Sequence, residues 1–166
     1  MMNPADESAN PAPAARWRTV ILHHDLPDGS SHFDWMFEPP AGFPRNSASD
    51  SSRLVTFRCE VRPDQLQAGT AQSINRLPDH RDLYLDYEGP VSGDRGMVAR
   101  VRPGEITGCR AVVVDGCDAW ELAVEWITEG GSAEKSRESQ VIRLIPGPNN
   151  DWTVFSTRQN RGNVSH

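Results

Sequence analysis

His24, His32 and Asp34 put two imidazoles and a carboxylate into one short stretch of this chain, and His80 adds a third imidazole farther on. On a β-strand, side chains two residues apart point to the same face. His32 and Asp34 therefore project together. A hairpin turn over Asp25–Ser31, with its proline, aspartate, glycine and serines, brings the end of the preceding strand alongside, and with it His24. Two imidazoles and one carboxylate on a shared face form a facial site with open coordination positions, and manganese, iron and zinc suit that ligand set. The same residues would also serve as polar decoration on an exposed hairpin. His23 rivals His24 as the first ligand, because sequence alone leaves the hairpin register open.

The second cluster is Asp79-His80-Arg81-Asp82-Leu83-Tyr84-Leu85-Asp86-Tyr87-Glu88-Gly89. Read as a strand, Asp82–Tyr87 shows Asp82 and Tyr84 on one face and Leu83, Leu85 and Tyr87 on the other. A histidine beside a phosphate can donate to a phosphoryl oxygen or act as a general acid, which makes His80 a candidate for that work. The alternative is a histidine that caps a loop.

These side chains need elements to hold them. Thr19–Leu22, His32–Glu38, Arg53–Val61, Met97–Arg102, Ala111–Val114, Trp120–Thr128, Val141–Ile145 and Trp152–Ser156 join Asp82–Tyr87 as strand candidates, with turns between them. Pro63–Ile74 reads as a connecting loop with a helical turn, and Pro103-Gly104 as a turn. The pattern is all-β: a small antiparallel β-barrel of about eight strands with long loops. Residues 1–15 read as a disordered leader, 16–157 as one domain and 158–166 as a polar tail.

Composition narrows the classes. Hydrophobic residues make up 37% and charged residues 24%, as in a soluble globular domain. A net charge of −6 disfavours a non-specific nucleic-acid coat, which needs a broad basic face. Cys59, Cys109 and Cys117 lack the spacing of a zinc site or a disulfide framework and read as free thiols. Nothing is long and apolar enough to span a membrane, and residues 1–15 lack the pattern of a signal peptide, so the expected compartment is the cytoplasm.

Two blocks carry a resemblance. His24, then His32-Phe33-Asp34-Trp35-Met36-Phe37-Glu38, resembles the opening of the 3′-phosphoesterase domain of bacterial DNA ligase D. Asp79-His80-Arg81-Asp82-Leu83-Tyr84, then Tyr87-Glu88-Gly89 and the Gly93–Gly96 turn, resembles that family's second block, in the same order and at comparable separation. The likeness covers about Trp17 to Arg102. It implies a small β-barrel that removes 3′-terminal ribonucleosides or 3′-phosphates from a primer strand. It implies a metal, most often manganese, on His24, His32 and Asp34, with His80 on the phosphate and Tyr84 beside it. DNA or RNA–DNA 3′ ends are the implied partners, with a separate ligase or a Ku-type end-joining factor. Two departures stand out. Met36 occupies the place of the family's phosphate-holding arginine, and methionine donates nothing to a phosphate. The gap between the two histidines is also longer than the family's, an extension that a turn at Asp28-Gly29 can absorb.

Arg81, Arg95 and Arg100 flank the glycine-rich corner and are candidates to replace the missing cation. Two other functions compete with catalysis on strand ends: a binding module that keeps the barrel but not the activity, and a metal enzyme acting on a small molecule in a tryptophan-lined barrel mouth built from Trp35, Trp120 and Trp126.

Overall fold

The computed structural model describes residues 14–46, 53–129 and 135–160. The chain forms β1 (Trp17–Asp25), β2 (Ser31–Phe37), β3 (Leu54–Cys59), β4 (Ala71–His80), β5 (Gly89–Pro90), β6 (Met97–Val114), β7 (Cys117–Thr128), β8 (Ser136–Pro146) and β9 (Asp151–Asn160). Neighbours run β1-β2-β3-β4-β9-β8-β7-β6, and β6 returns to β1 to close an eight-stranded antiparallel barrel, with the two-residue β5 added beside β6. Closure removes the free sheet edges that an open sheet would expose. The expected all-β barrel is what forms. The expected leader falls almost entirely outside the described residues, as does the end of the expected tail, and β9 runs past residue 157 to Asn160. Among the described residues no helix is long and apolar enough to cross a membrane.

Strand alternation sorts the apolar side chains into two groups. Ile21, Trp35, Phe37, Phe57, Ile106, Leu122, Trp126, Ile142, Leu144 and Val154 come from every quarter of the wall and fill the barrel interior. Val20, Leu22, Met36, Leu54 and Val98 face the other way and form a second cluster with Leu85, against which Tyr84, Tyr87 and Val91 pack. The segment between β4 and β6 thus covers the outer face of the β1–β2 wall. That explains why Thr19–Leu22 and Asp34–Phe37 are buried on both faces. Trp35 and Trp126 are fully buried and Trp120 packs against the same core, so these tryptophans fill the interior and do not line an open mouth.

Three elements differ from the sequence reading. Asp82–Leu85 is a short 3₁₀ turn, not a strand, and its Leu85 packs down onto the outer cluster. The alternation expected of Asp82 and Tyr84 therefore does not apply. β4 occupies residues expected to be partly loop, although the helical turn within that stretch does occur, at Pro63–Gln65. Pro103-Gly104 is not a turn: β6 runs through it, because the strand bends closely past β7 there. A Cβ on Gly104 would lie 2.8 Å from the Glu125 carbonyl oxygen and 2.9 Å from the Trp126 ring.

One buried cation ties the barrel mouth to the covering segment. The Arg76 guanidinium stands 5.6 Å from the ring centres of Phe43, Phe57 and Trp152. It donates to the Pro44 carbonyl (2.8 Å) and to Asp79 Oδ1 (3.3 Å). The Asp79 side chain is fully buried and also accepts from the Asn46 backbone N–H at 3.2 Å. Arg76→Met leaves that carboxylate with only the half-exposed Arg45, 4.0 Å away, and is expected to destabilise the fold by about 3 kcal/mol. A urea unfolding midpoint equal to that of the parent protein would contradict this.

Candidate metal centre and its cleft

The β1–β2 register pairs His24 directly with His32. Asp34 lies two residues along β2 from His32, on the same face and diagonal to His24. The two imidazole centres are 4.9 Å apart. His24 Nδ1 lies 3.1 Å from Asp34 Oδ2, and His32 Nε2 lies 3.1 Å from Asp34 Oδ1. One ligand atom from each of the three residues falls within 4.8 Å of the other two. His23 faces away, with its ring 5.3 Å from Phe33 and its Nδ1 3.6 Å from Asp25. The register thus puts His24, and not His23, on the face that carries His32 and Asp34.

Local turns hold this arrangement. The longer gap between the histidines is taken up at 26–30, where the Leu26 N–H donates to Ser30 O at 2.8 Å. Asp28 Oδ1 accepts from the Ser30 N–H and hydroxyl, at 2.9 and 2.6 Å, which holds its carboxyl below the usual range. Gly96, at φ +94°, lies so close to the end of β1 that a Cβ there would be 1.8 Å from the Asp25 carbonyl oxygen. This contact brings the Arg95 carbonyl to 2.6 Å from His24 Nε2.

The donor set fits a divalent cation. His24 Nε2–H donates to the Arg95 carbonyl, which leaves Nδ1 of the neutral ring as a lone pair facing the carboxylate. Two acceptors 3.1 Å apart call for a proton or a cation between them. A backbone carbonyl that fixes the tautomer of a ligating histidine is a common support for metal sites. His32 Nδ1 is buried without a hydrogen-bond partner among the described residues, and Asp34 Oδ1 has only the poorly aligned His32 Nε2 at 3.1 Å. Such an orphan costs about 1–3 kcal/mol. Burial is the largest influence on His32 and pushes its pKa down. Asp34 opposes this, while the positive charge of Arg58 adds to it, as a protonated His24 would. The net effect favours the neutral ring, the form that ligates.

The cluster opens onto a cavity of about 420 Å³. His24, Asp34, His80, Arg81, Tyr84 and Arg95 all line it, so the two sequence blocks meet at one place. His32 completes the cluster without lining the cavity. His80 Nδ1 donates to the Pro78 carbonyl at 2.7 Å, and its ring centre is 5.8 Å from that of Tyr84. Arg95 is held by Ser92, through its carbonyl at 2.7 Å and its hydroxyl at 3.3 Å. Arg100 does not line the cavity and donates to Glu129 at 3.3 Å. Met36 does line it, with Val98 and Val91.

Arg58 escaped the sequence reading. It pairs with Asp34 across β2 and β3, and among the described residues it makes no ion pair of its own. It is the one charged residue within Leu54–Cys59, a signal that gains meaning once the register of β3 is known.

No family model matches this chain, and neither a curated protein nor a solved structure matches it significantly.

Manganese should raise the thermal unfolding midpoint of the parent protein, with a gain of about 2.7 kcal/mol at a free concentration a hundred times the dissociation constant. Asp34→Ala and His24→Ala should fold but lose that response, and His23→Ala should keep it. A His24→Ala protein that responds like the parent would rule out the cluster as the binding site.

Proposed function

We propose that this chain is a metal-dependent phosphoesterase that acts on nucleic-acid 3′ ends, removing a 3′-phosphate or a 3′-terminal ribonucleoside, as its resemblance to the ligase D phosphoesterase domain implies. The observation that carries the reading is the convergence of His24, His32 and Asp34 on one point that opens into the cavity lined by His80 and Tyr84. Those three residues would hold a divalent cation, manganese by the resemblance, which when bound would supply positive charge for a phosphoryl oxygen and lower the pKa of a water. The protein's own groups do the rest. His80 spends its Nδ1 proton on Pro78, so Nε2 is the nitrogen that holds or delivers a proton at the phosphate. Arg81, exposed at the cavity and without an ion pair among the described residues, is the cation best free to meet a phosphate. Arg95 lines the cavity and gives its carbonyl to His24, while its guanidinium is held by Ser92. Arg58 adds positive charge beside Asp34. A separate ligase or a Ku-type factor is the partner that such end cleaning would serve.

A second reading keeps the fold and the end recognition without turnover. Met36 favours it, because the methionine puts no donor on the cavity floor, and one lost donor to a developing charge costs about 3–4 kcal/mol of transition-state stabilisation.

Purified protein incubated with manganese and a primer ending in a 3′-phosphate or a 3′-ribonucleotide should yield a 3′-hydroxyl end. Asp34→Ala should abolish the reaction while the protein stays folded. His80→Ala should slow it by about 10²–10⁴-fold, the usual range for a lost general acid. Binding of the primer with no product from the parent protein would decide for the second reading.

A further inference from the structure

We infer that the segment between β4 and β6 is a positioning clamp for the first histidine of the cluster: Gly96 sets the Arg95 carbonyl where it keeps the ring proton of His24 off the nitrogen that faces Asp34. The inference rests on the metal-centre part of the phosphoesterase reading. Two oxygens compete for the one proton of a neutral His24 ring. The Arg95 carbonyl lies 2.6 Å from Nε2, and Asp34 Oδ2 lies 3.1 Å from Nδ1. A carbonyl and an ionised carboxylate only accept. A proton on Nδ1 serves the carboxylate but blocks the lone pair that a cation needs. A proton on Nε2 serves the carbonyl and frees that lone pair. With the carbonyl moved away, the buried carboxylate is the acceptor that remains, and it draws the proton to Nδ1. His32 has no comparable support: its Nδ1 is buried without a hydrogen-bond partner among the described residues.

The carbonyl is held by residues outside the cluster. Gly96, at φ +94°, is packed tightly against the Asp25 carbonyl, a place that only a residue without a Cβ can take. The Val91 N–H donates to the Gly96 carbonyl at 2.8 Å and closes the 91–96 turn. Just before that turn, Gly89–Pro90 pairs with Met97 and Val98, and Glu88 Oε1 accepts from the Arg100 N–H at 2.7 Å. Farther back, Leu85 packs into the outer cluster and the Asp86 carboxylate accepts from the Arg18 guanidinium. Gly96 is therefore a positioning residue: it acts on His24 through the Arg95 backbone.

Ring-nitrogen NMR spectra of the metal-free full chain at alkaline pH read the tautomer directly. His24 should carry its proton on Nε2. Gly96→Ala should move it to Nδ1, because the added Cβ displaces the carbonyl. Calorimetric titration should then show manganese binding weakened by about 10–100-fold, the usual cost of losing the support of a ligating histidine. Gly116→Ala is the control. Gly116 sits at φ +78° between β6 and β7 with open space around it, so the variant carries similar backbone strain and should keep the parent's tautomer and affinity. A proton on Nδ1 of His24 in the parent protein would overturn the inference, and that spectrum needs no variant to fold. So would a folded Gly96→Ala protein with the parent's tautomer or affinity, or an equal loss of affinity in Gly116→Ala. The two failures are distinct. A protein that holds the tautomer and binds manganese through it, yet cleaves no 3′ end, loses only the phosphoesterase reading. One that cleaves 3′ ends equally well as parent and Gly96→Ala, with the same His24 tautomer in both, loses only the clamp.

Discussion

The pairing of His24 with His32 across the β1–β2 hairpin is the constraint on which the rest depends. Because side chains alternate with a period of two, that register turns His24, His32, Asp34 and Met36 to the outer face of the barrel and Ile21, Trp35 and Phe37 to the interior. A one-residue slip of β2 would send His32 and Asp34 into a packed hydrophobic core and Phe33, Trp35 and Phe37 onto the outer face. The aromatic core and the polar cluster therefore enforce each other. The Asp28–Ser30 turn sets the loop between the strands, and the Trp35 indole N–H to Thr19 hydroxyl bond at 2.9 Å locks the inner face.

The site is on the outside of the barrel, yet it is not a surface site. The segment between β4 and β6 folds back over the wall, held through Leu85 and Val91 on one side and through Gly96 against Asp25 on the other. This cover buries the carboxylate and one imidazole and supplies the carbonyl that orients the other. Burial makes an unneutralised carboxylate costly, and a cation would remove that cost. The Arg76–Asp79 pair anchors the start of the same segment next to His80, so the buried ion pair at the barrel mouth and the position of the third histidine are linked.

Much of this was readable beforehand, for physical reasons. The β1–β2 hairpin announces itself through its turn residues and a β-branched run, and a period of two then brings His32 and Asp34 together. The all-β class follows from short apolar strands between turns. β4 was harder, because its buried positions are Ile74 and Arg76, and a buried arginine is invisible to a hydrophobic pattern. Asp82–Leu85 misled in the opposite direction: Leu83 and Leu85 alternate with Asp82 and Tyr84 and mimic a strand, but packing of Leu85 onto the outer cluster favours a tight turn. Pro103-Gly104 reads as a turn, whereas the glycine is there for the close passage of β7. Arg58 takes its meaning from register alone. The choice between His23 and His24 was likewise out of reach until the strands were paired.

The proposed chemistry requires that His24, His32 and Asp34 hold one cation. Anomalous diffraction at the manganese edge, from crystals grown with manganese, tests it most directly. A single strong peak is expected, bonded to an imidazole nitrogen of His24, one of His32 and an oxygen of Asp34, and facing His80 across the cavity. A well-ordered site with no peak, or a peak bonded to other residues while these three stay unliganded, would contradict it.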